Sequence, residues 1–183
     1  MKSNTVVWVV LVACALCFVL AACGLCLVFG LIGSQAGGFD FGLPPQTGRM
    51  APDFQLETIE GELVTLGDFR GQPVLLNFWA IWCGPCQEEI PVIQDRFQQH
   101  YPDLVVLAVE EGESLSRLQS YIEETGLTFA VLVGSEAVAR RYAIRAYPTS
   151  FFIDRNGVIR SIVIGSMSGA SLDAELEKIG LDD

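Results

Sequence analysis

A long apolar run near the N-terminus is the clearest pattern in the chain. Residues 6 to 32 comprise 27 positions, of which only Gly24 and Gly30 are not apolar. About 20 apolar residues span a bilayer as a helix, so this run is long enough to cross a membrane once with some tilt. Lys2 is the only basic residue before it, and Arg49 is the first one after it, which favours a cytoplasmic N-terminus. We therefore predict a transmembrane anchor over residues 1–33, which places the rest of the chain outside the cell membrane.

A cleaved lipoprotein signal is the alternative interpretation of the same run. Leu20, Ala21 and Ala22 before Cys23 resemble a lipobox, in which case Cys23 would carry the lipid. A lipoprotein normally turns polar after this cysteine, whereas this chain stays apolar as far as Ile32. Both interpretations tether the following domain on the outer side of the membrane.

Four cysteines lie inside the apolar run as two pairs with the spacing of metal ligands: Cys14, Cys17, Cys23 and Cys26. A helix turns by about 100° per residue, so the second pair faces about 180° away from the first. One helix therefore cannot bring all four to a metal ion. We interpret them as small lipid-compatible hydrophobic residues, with a helix contact, lipidation or a membrane redox relay as alternatives.

Residues 34–48 are rich in glycine and proline and indicate a linker, and residues 49–183 form one domain. Periodicity in this domain predicts strands over 54–57, 63–66, 73–79, 104–109, 129–133, 150–154 and 158–164, and helices over 83–99, 115–124, 136–142 and 170–179. The first two strands suggest a hairpin, and Asn156-Gly157 indicates a type I′ turn between the last two. Alternating strands and helices predict an α/β fold with a mixed central sheet flanked by helices.

Charge and composition restrict the function of this domain. Outside the apolar run of residues 6–32, about 44% of the residues are apolar, which is ordinary for a globular protein. Residues 40–183 contain 22 acidic and 10 basic residues. Phosphate binding needs a basic surface, so a nucleic-acid partner is excluded. An acidic surface is compatible with basic partners, although solubility explains it equally well.

The segment Trp82-Cys83-Gly84-Pro85-Cys86 carries the chemistry. It follows an apolar strand and opens a predicted helix, where free backbone N–H groups and the helix dipole stabilise a thiolate at Cys83. Cys86, one turn further on, is placed to resolve a mixed disulfide by attacking Cys83. Zinc would need about four ligands, and the domain offers only these cysteines and His100. We therefore expect no metal and no cofactor other than a redox-active Cys83–Cys86 disulfide.

This segment resembles the active site of thioredoxin, and Tyr147-Pro148-Thr149 resembles the cis-proline segment of that family. The resemblance covers residues 50–180 and is closer to the membrane-anchored TlpA/ResA-like branch. Residues 51–54 and 77–80 carry the motifs Ala-Pro-Asp-Phe and Asn-Phe-Trp-Ala of this branch. It implies a thioredoxin fold with an N-terminal β-hairpin and a central helix-strand insertion at residues 114–133.

The resemblance also implies further site residues. Thioredoxin has a titrating aspartate where this chain has Asn77, so another group must handle the proton of Cys86. The branch implicates a glutamate in the arrangement formed here by Cys86, Glu89 and Pro91, and we expect Glu89 to be partly buried with a raised pKa. A solvated helix carboxylate is the alternative. Glu113 resembles a second acidic position of this branch, near the active-site groove. A role at the helix entry or in solubility explains an exposed glutamate there equally well. The substrate groove is expected to comprise Trp82, Gly84, Pro85, Tyr147, Pro148 and Thr149.

The resemblance implies an extracytoplasmic thiol-disulfide oxidoreductase that acts as a reductant and is recharged by a membrane electron-donor protein. Its substrate would be a protein disulfide such as that of apocytochrome c, and we expect a monomer. A general disulfide reductase or an oxidant is the alternative. A peroxiredoxin would need Thr or Ser at position 80 and Pro at position 76, where this chain has Ala80 and Leu76. A copper-binding assembly factor is disfavoured because such proteins usually separate their cysteines by three residues.

Overall fold

Residues 44–181 are the part of the chain that the computed structural model describes. The strands are β1 (Gln55–Glu57), β2 (Leu63–Thr65), β3 (Val74–Trp79), β4 (Val105–Glu110), β5 (Ala130–Val133), β6 (Thr149–Ile153) and β7 (Ile159–Ile164). The helices are α1 (Gly84–His100), α2 (Leu115–Thr125), α3 (Glu136–Arg141) and α4 (Gly169–Glu177), with a short 3₁₀ helix at Leu66–Phe69. These elements match the predicted ones within a few residues.

The predicted anchor over residues 1–33, its four cysteines and residues 34–43 of the linker lie outside the described residues. Between residues 44 and 181, no helix is long and apolar enough to cross a bilayer.

A five-stranded mixed sheet organises the domain in the order β5-β4-β3-β6-β7. β3 pairs in parallel with β4 and antiparallel with β6, and all six of its side chains are buried. The continuous apolar sequence of β3 is typical of such a strand, because both faces of the sheet are covered. The predicted mixed α/β sheet is confirmed.

The two faces of β3 belong to two separate cores. Leu75 and Trp79 pack with residues of α1 and α4, whereas Leu76 and Phe78 pack with Tyr142 beyond α3. Side chains alternate along a strand, so Asn77 shares the face of Leu75 and Trp79. This register places the only polar residue of β3 beneath α1, where the candidate site is built.

The N-terminal hairpin and the central insertion also form as expected. β1 and β2 pair antiparallel in a small sheet of their own. α2 begins after Ser114, whose hydroxyl accepts a hydrogen bond from the Arg117 N–H, and it ends at a left-handed Gly126. β5 then adds to the central sheet in parallel with β4. The insertion therefore extends one edge of the sheet.

The turn between β6 and β7 differs from the prediction. A type I′ turn requires positive φ at both central residues, whereas Gly157 has φ 78° and Asn156 is not in the left-handed region. Asp154 and Val158 instead enclose a three-residue loop, and Asp154 Oδ1 accepts hydrogen bonds from the N–H groups of Asn156 and Val158. The type I′ prediction is wrong because the Asp154 carboxylate stabilises the longer loop.

Candidate active site

Cys83 and Cys86 form a disulfide at the start of α1, just beyond the carboxyl end of β3. Cys83 is the N-cap residue, and its sulfur accepts a hydrogen bond from the Cys86 N–H at 3.3 Å. Cys83 is 7% exposed and Cys86 is fully buried. A thiol or disulfide that approaches from solvent therefore meets Cys83 first.

The cis-proline segment lies against the disulfide. The Tyr147–Pro148 peptide bond is cis, and the carbonyl oxygen of Tyr147 is 3.6 Å from Cys83 Sγ. The carbonyl of Pro148 accepts from the Gly165 N–H, and the hydroxyl of Thr149 donates to the carbonyl of Ala146. The Pro148 carbonyl and the Thr149 hydroxyl are thus engaged within the domain, while Tyr147 is the member of the segment that contacts Cys83.

The surface around Cys83 is largely apolar. Trp82 is 62% exposed, and its ring meets that of Tyr147 edge to face with 5.8 Å between centroids. Gly84 and Pro85 are exposed on the other side of Cys83. Trp79 is fully buried in the core, so of the two tryptophans near the disulfide only Trp82 contributes to this surface.

Glu89 lies on the inner face of α1, one turn after Cys86, and is 1% exposed. The Asn77 side-chain amide donates to Glu89 Oε2 at 3.1 Å, and the Met167 N–H donates to Oε1 at 3.0 Å. Burial raises the pKa of Glu89 to about 7, although both hydrogen bonds oppose this rise. The carboxyl group can therefore gain or lose a proton near neutral pH.

Asn77 positions Glu89 and does not titrate itself. Its amide nitrogen donates to Glu89 and, at 2.9 Å, to the hydroxyl of Ser150 on β6. Ser150 and Met167 were not predicted as site residues, because Ser150 lies one position beyond the Tyr147-Pro148-Thr149 motif and Met167 lies in no motif. The pairing of β6 with β3 brings Ser150 to Asn77, and the segment that enters α4 brings Met167 to Glu89.

Glu110, which the sequence does not predict as a site residue, accepts a hydrogen bond from the N–H of Ile81, two residues before Cys83, and is also bonded to Glu113. Glu113 is half-buried in the loop between β4 and α2, and its N–H donates to the carboxylate of Glu110. Glu110 is 2% exposed at the carboxyl end of β4, next to Trp79. An acidic residue that ends an apolar strand beside the strand leading to the cysteines is the sequence signal that could have identified it.

No three His, Cys, Asp or Glu side chains are grouped in residues 44–181 so that they could hold a metal ion. His100 is the last residue of α1, at the opposite end of the helix from Cys83.

The buried state of Glu89 predicts how the stability of the oxidised protein depends on pH. Its pKa is above the ordinary value of 4.5, so the folded state holds a proton that the unfolded state loses. The contribution of Glu89 to the free energy of unfolding is complete below about pH 4.5 and is lost as the pH rises through about 7. The free energy of unfolding changes by about 3 kcal/mol over this range. We expect Glu89→Gln to become more stable relative to wild type across this range. Chemical denaturation of both proteins at several pH values measures the difference, and a constant difference would contradict a raised pKa.

Comparison with known proteins identifies the family of the chain. Residues 47–162 match the AhpC/TSA family. The chain belongs to this family. The thioredoxin-like protein YneN of Bacillus subtilis is 37% identical over 136 residues, which cover 72% of this chain and 79% of YneN. The thiol-disulfide oxidoreductase ResA of Geobacillus thermodenitrificans is 37% identical over 134 residues, which cover 72% of this chain and 77% of ResA.

Solved structures show the same fold. The exposed lipoprotein thioredoxin Etrx1 of Streptococcus pneumoniae aligns with a TM-score of 0.62 and 29% identity, over 69% of this chain and 99% of Etrx1. StoA of Bacillus subtilis aligns with a TM-score of 0.60 and 28% identity, over 70% of this chain and 98% of StoA. The predicted thioredoxin fold and family are confirmed, and the chain is a protein thiol-disulfide oxidoreductase.

Proposed function

We propose that this oxidoreductase is tethered outside the cell membrane and reduces disulfides in proteins, among them the disulfide of apocytochrome c. The observation that carries the proposal is the Cys83–Cys86 disulfide at a helix N-terminus with the titratable Glu89 buried one turn behind it. A free backbone N–H and the helix dipole favour a thiolate at Cys83, which is the nucleophile that disulfide exchange requires.

In the reduced protein, the Cys83 thiolate attacks one sulfur of the substrate disulfide. The substrate S–S bond breaks, its other sulfur leaves as a thiolate, and Cys83 is joined to the substrate as a mixed disulfide. Cys86 then loses its proton and attacks Cys83 Sγ, which releases the second substrate thiol. Two electrons have passed to the substrate, and the protein is left in the disulfide form described above.

Glu89 is the proposed acceptor of the Cys86 proton. Cys86 is fully buried, so its thiolate is costly to form without a nearby base. Glu89 is buried on the same helix, one turn away, with a pKa of about 7. Asn77 and the Met167 N–H hold both carboxylate oxygens in a fixed orientation.

The groove beside Cys83 is the proposed substrate site. The exposed ring of Trp82 and the backbone of Tyr147 border it, with Gly84 and Pro85 near the disulfide. An extended peptide can contact the backbone next to Cys83 while its own disulfide meets the sulfur. Pro148 and Thr149 support the segment from behind through internal hydrogen bonds.

The apolar run of residues 6–32 supports the tether. We favour a single-pass anchor, with a lipid on Cys23 as the alternative, and a related protein of the same fold is an exposed lipoprotein. Thiols outside the cytoplasm tend to be oxidised, so a membrane electron-donor protein is required to restore the dithiol. The protein itself acts as a monomer in this proposal.

The substrate assignment is tested with two disulfides. Reduced full-length protein in detergent is mixed with an oxidised apocytochrome c peptide or with insulin, and the free thiols are counted over time. Faster reduction of the apocytochrome c peptide supports the assignment. Equal rates would favour a general disulfide reductase, which is the alternative function.

Fractionation of cells that express the wild type or Cys23→Ser tests the tether, because only a lipoprotein needs this cysteine to stay in the membrane.

A further inference from the structure

Glu110 is a buried acid that the redox chemistry described above does not use. It ends β4, a strand that is otherwise apolar, and it is 2% exposed. Burial is the main cause that raises its pKa, and the nearby carboxylates of Glu113 and Glu111 raise it further. A buried carboxyl group destabilises the fold unless its oxygens accept hydrogen bonds. The hydrogen-bond partners of Glu110 therefore indicate its role.

Both oxygens of Glu110 bind backbone N–H groups, and they bind two different loops. Oε1 accepts from the Ile81 N–H and Oε2 accepts from the Glu113 N–H, each at 3.4 Å. Ile81 lies in the segment that connects β3 to Cys83, and Glu113 lies in the loop between β4 and α2. Strand pairing of β3 and β4 ends at Trp79 and Glu110, so these two N–H groups lie beyond the ladder. The carboxylate therefore connects the two loops beyond the last backbone bond between their strands, which runs from the Glu111 N–H to the Trp79 carbonyl.

The two connected loops also contact each other directly, through Gly112 and Trp82 at the edge of the proposed substrate groove. Trp82 follows Ile81, and Gly112 precedes Glu113. A Cβ added at Gly112 would lie 3.4 Å from Trp82 Nε1, so this loop packs directly against the indole ring. The indole ring also contacts the ring of Tyr147. The position of Trp82 therefore depends on both loops that Glu110 holds.

We infer that Glu110 is a positioning residue for protein substrates, which fixes the groove wall formed by Trp82 and the loop at Gly112. This inference rests on the proposed reductase function and adds a determinant of substrate binding to it. A carboxylate suits this role because it offers an acceptor to each N–H. A glutamine of the same shape offers one acceptor and turns an NH₂ group toward the other N–H.

The test compares a large and a small substrate. Full-length wild type, Glu110→Gln and Glu111→Gln are assayed in detergent with dithiothreitol as the reductant. Insulin must fit the groove, whereas hydroxyethyl disulfide needs to reach only Cys83. Glu111→Gln is the matched control, because it removes a neighbouring charge and leaves both bonds of Glu110 in place.

For Glu110→Gln we expect a KM for insulin about tenfold above wild type, since a bond to a charged group is lost from the wall. We expect unchanged kcat, unchanged reduction of hydroxyethyl disulfide, and wild-type behaviour of Glu111→Gln. Glu110→Asp keeps the carboxylate, but its side chain is too short to bind both loops, so it should also raise the KM for insulin. This variant tests the inference if Glu110→Gln does not fold.

Either of two results would overturn this inference and leave the reductase proposal intact. In the first, the wild type is active and the Glu110 variants have an unchanged KM for insulin. In the second, the Glu110 variants lose activity equally with insulin and with hydroxyethyl disulfide. The second result would mean that Glu110 supports Cys83 itself rather than the groove wall. If the wild type itself fails to reduce insulin, the reductase proposal is refuted and this inference with it.

Discussion

Replacement of Cys83 by serine is expected to lower the reduction of protein disulfides to the uncatalysed rate. Cys83 is the only sulfur of the pair with any exposure, and it sits at the N-terminus of α1 where a thiolate is stabilised. Serine cannot form the mixed disulfide, and the fully buried Cys86 cannot reach a substrate in its place. Insulin reduction by the purified full-length variant measures the loss.

Cys86→Ser gives the complementary result, because the first attack proceeds and the second does not. The substrate should stay bound to Cys83 and appear as a covalent complex on a non-reducing gel. Cys14→Ser is a matched control, since it removes a cysteine outside the redox domain and should leave turnover unchanged. Substantial turnover by Cys83→Ser would show that the nucleophile is assigned to the wrong residue.

Replacement of Glu89 by glutamine is expected to slow turnover by about 100-fold at pH 7, which is the usual size of an acid-base contribution. The pKa of Glu89 is about 7, so in the wild type the basic form, and with it the rate, should increase as the pH rises through neutrality. Glutamine preserves the shape and cannot accept the proton, so this inflection should disappear. Stopped-flow measurement of Cys86 attack on the mixed disulfide, from pH 5 to 9, records both effects.

Glu88→Gln is the control for Glu89→Gln. Glu88 is the preceding residue of the same helix, has the same side chain and is exposed. Its replacement should leave the rate and its pH dependence unchanged. If both variants behave alike, or if the Cys86 thiol titrates identically in wild type and Glu89→Gln, Glu89 does not accept the proton.

The sequence predicts those parts of the site that have strong local signals. β3 is a short apolar run, Cys83 and Cys86 carry a spacing that belongs to a helix start, and Tyr147-Pro148 precedes a strand. Each of these features depends on neighbours within a few residues. Helical spacing alone also places Glu89 on the side of α1 that carries Cys86, so its burial could be anticipated.

Features that depend on distant residues could not be predicted in this way. Glu110 looks like the polar end of a strand, and its burial follows only from loops at residues 81 and 113. Met167 meets Glu89 across 78 positions of sequence. At Asn156-Gly157, the carboxylate of Asp154 decides the loop length, which a two-residue turn signal does not reveal. The sequence motif therefore identifies the chemistry, and the tertiary structure identifies the residues that tune it.

The reduction potential of the Cys83–Cys86 pair tests the proposed reductant most directly. The full-length protein is equilibrated with glutathione or dithiothreitol buffers of known ratio, and the fraction of free thiol is measured. We predict a value of about −270 mV, as in thioredoxin, at which the dithiol passes its electrons to protein disulfides. A value of about −120 mV would contradict a reductant, because such a pair takes electrons from protein thiols and forms disulfides.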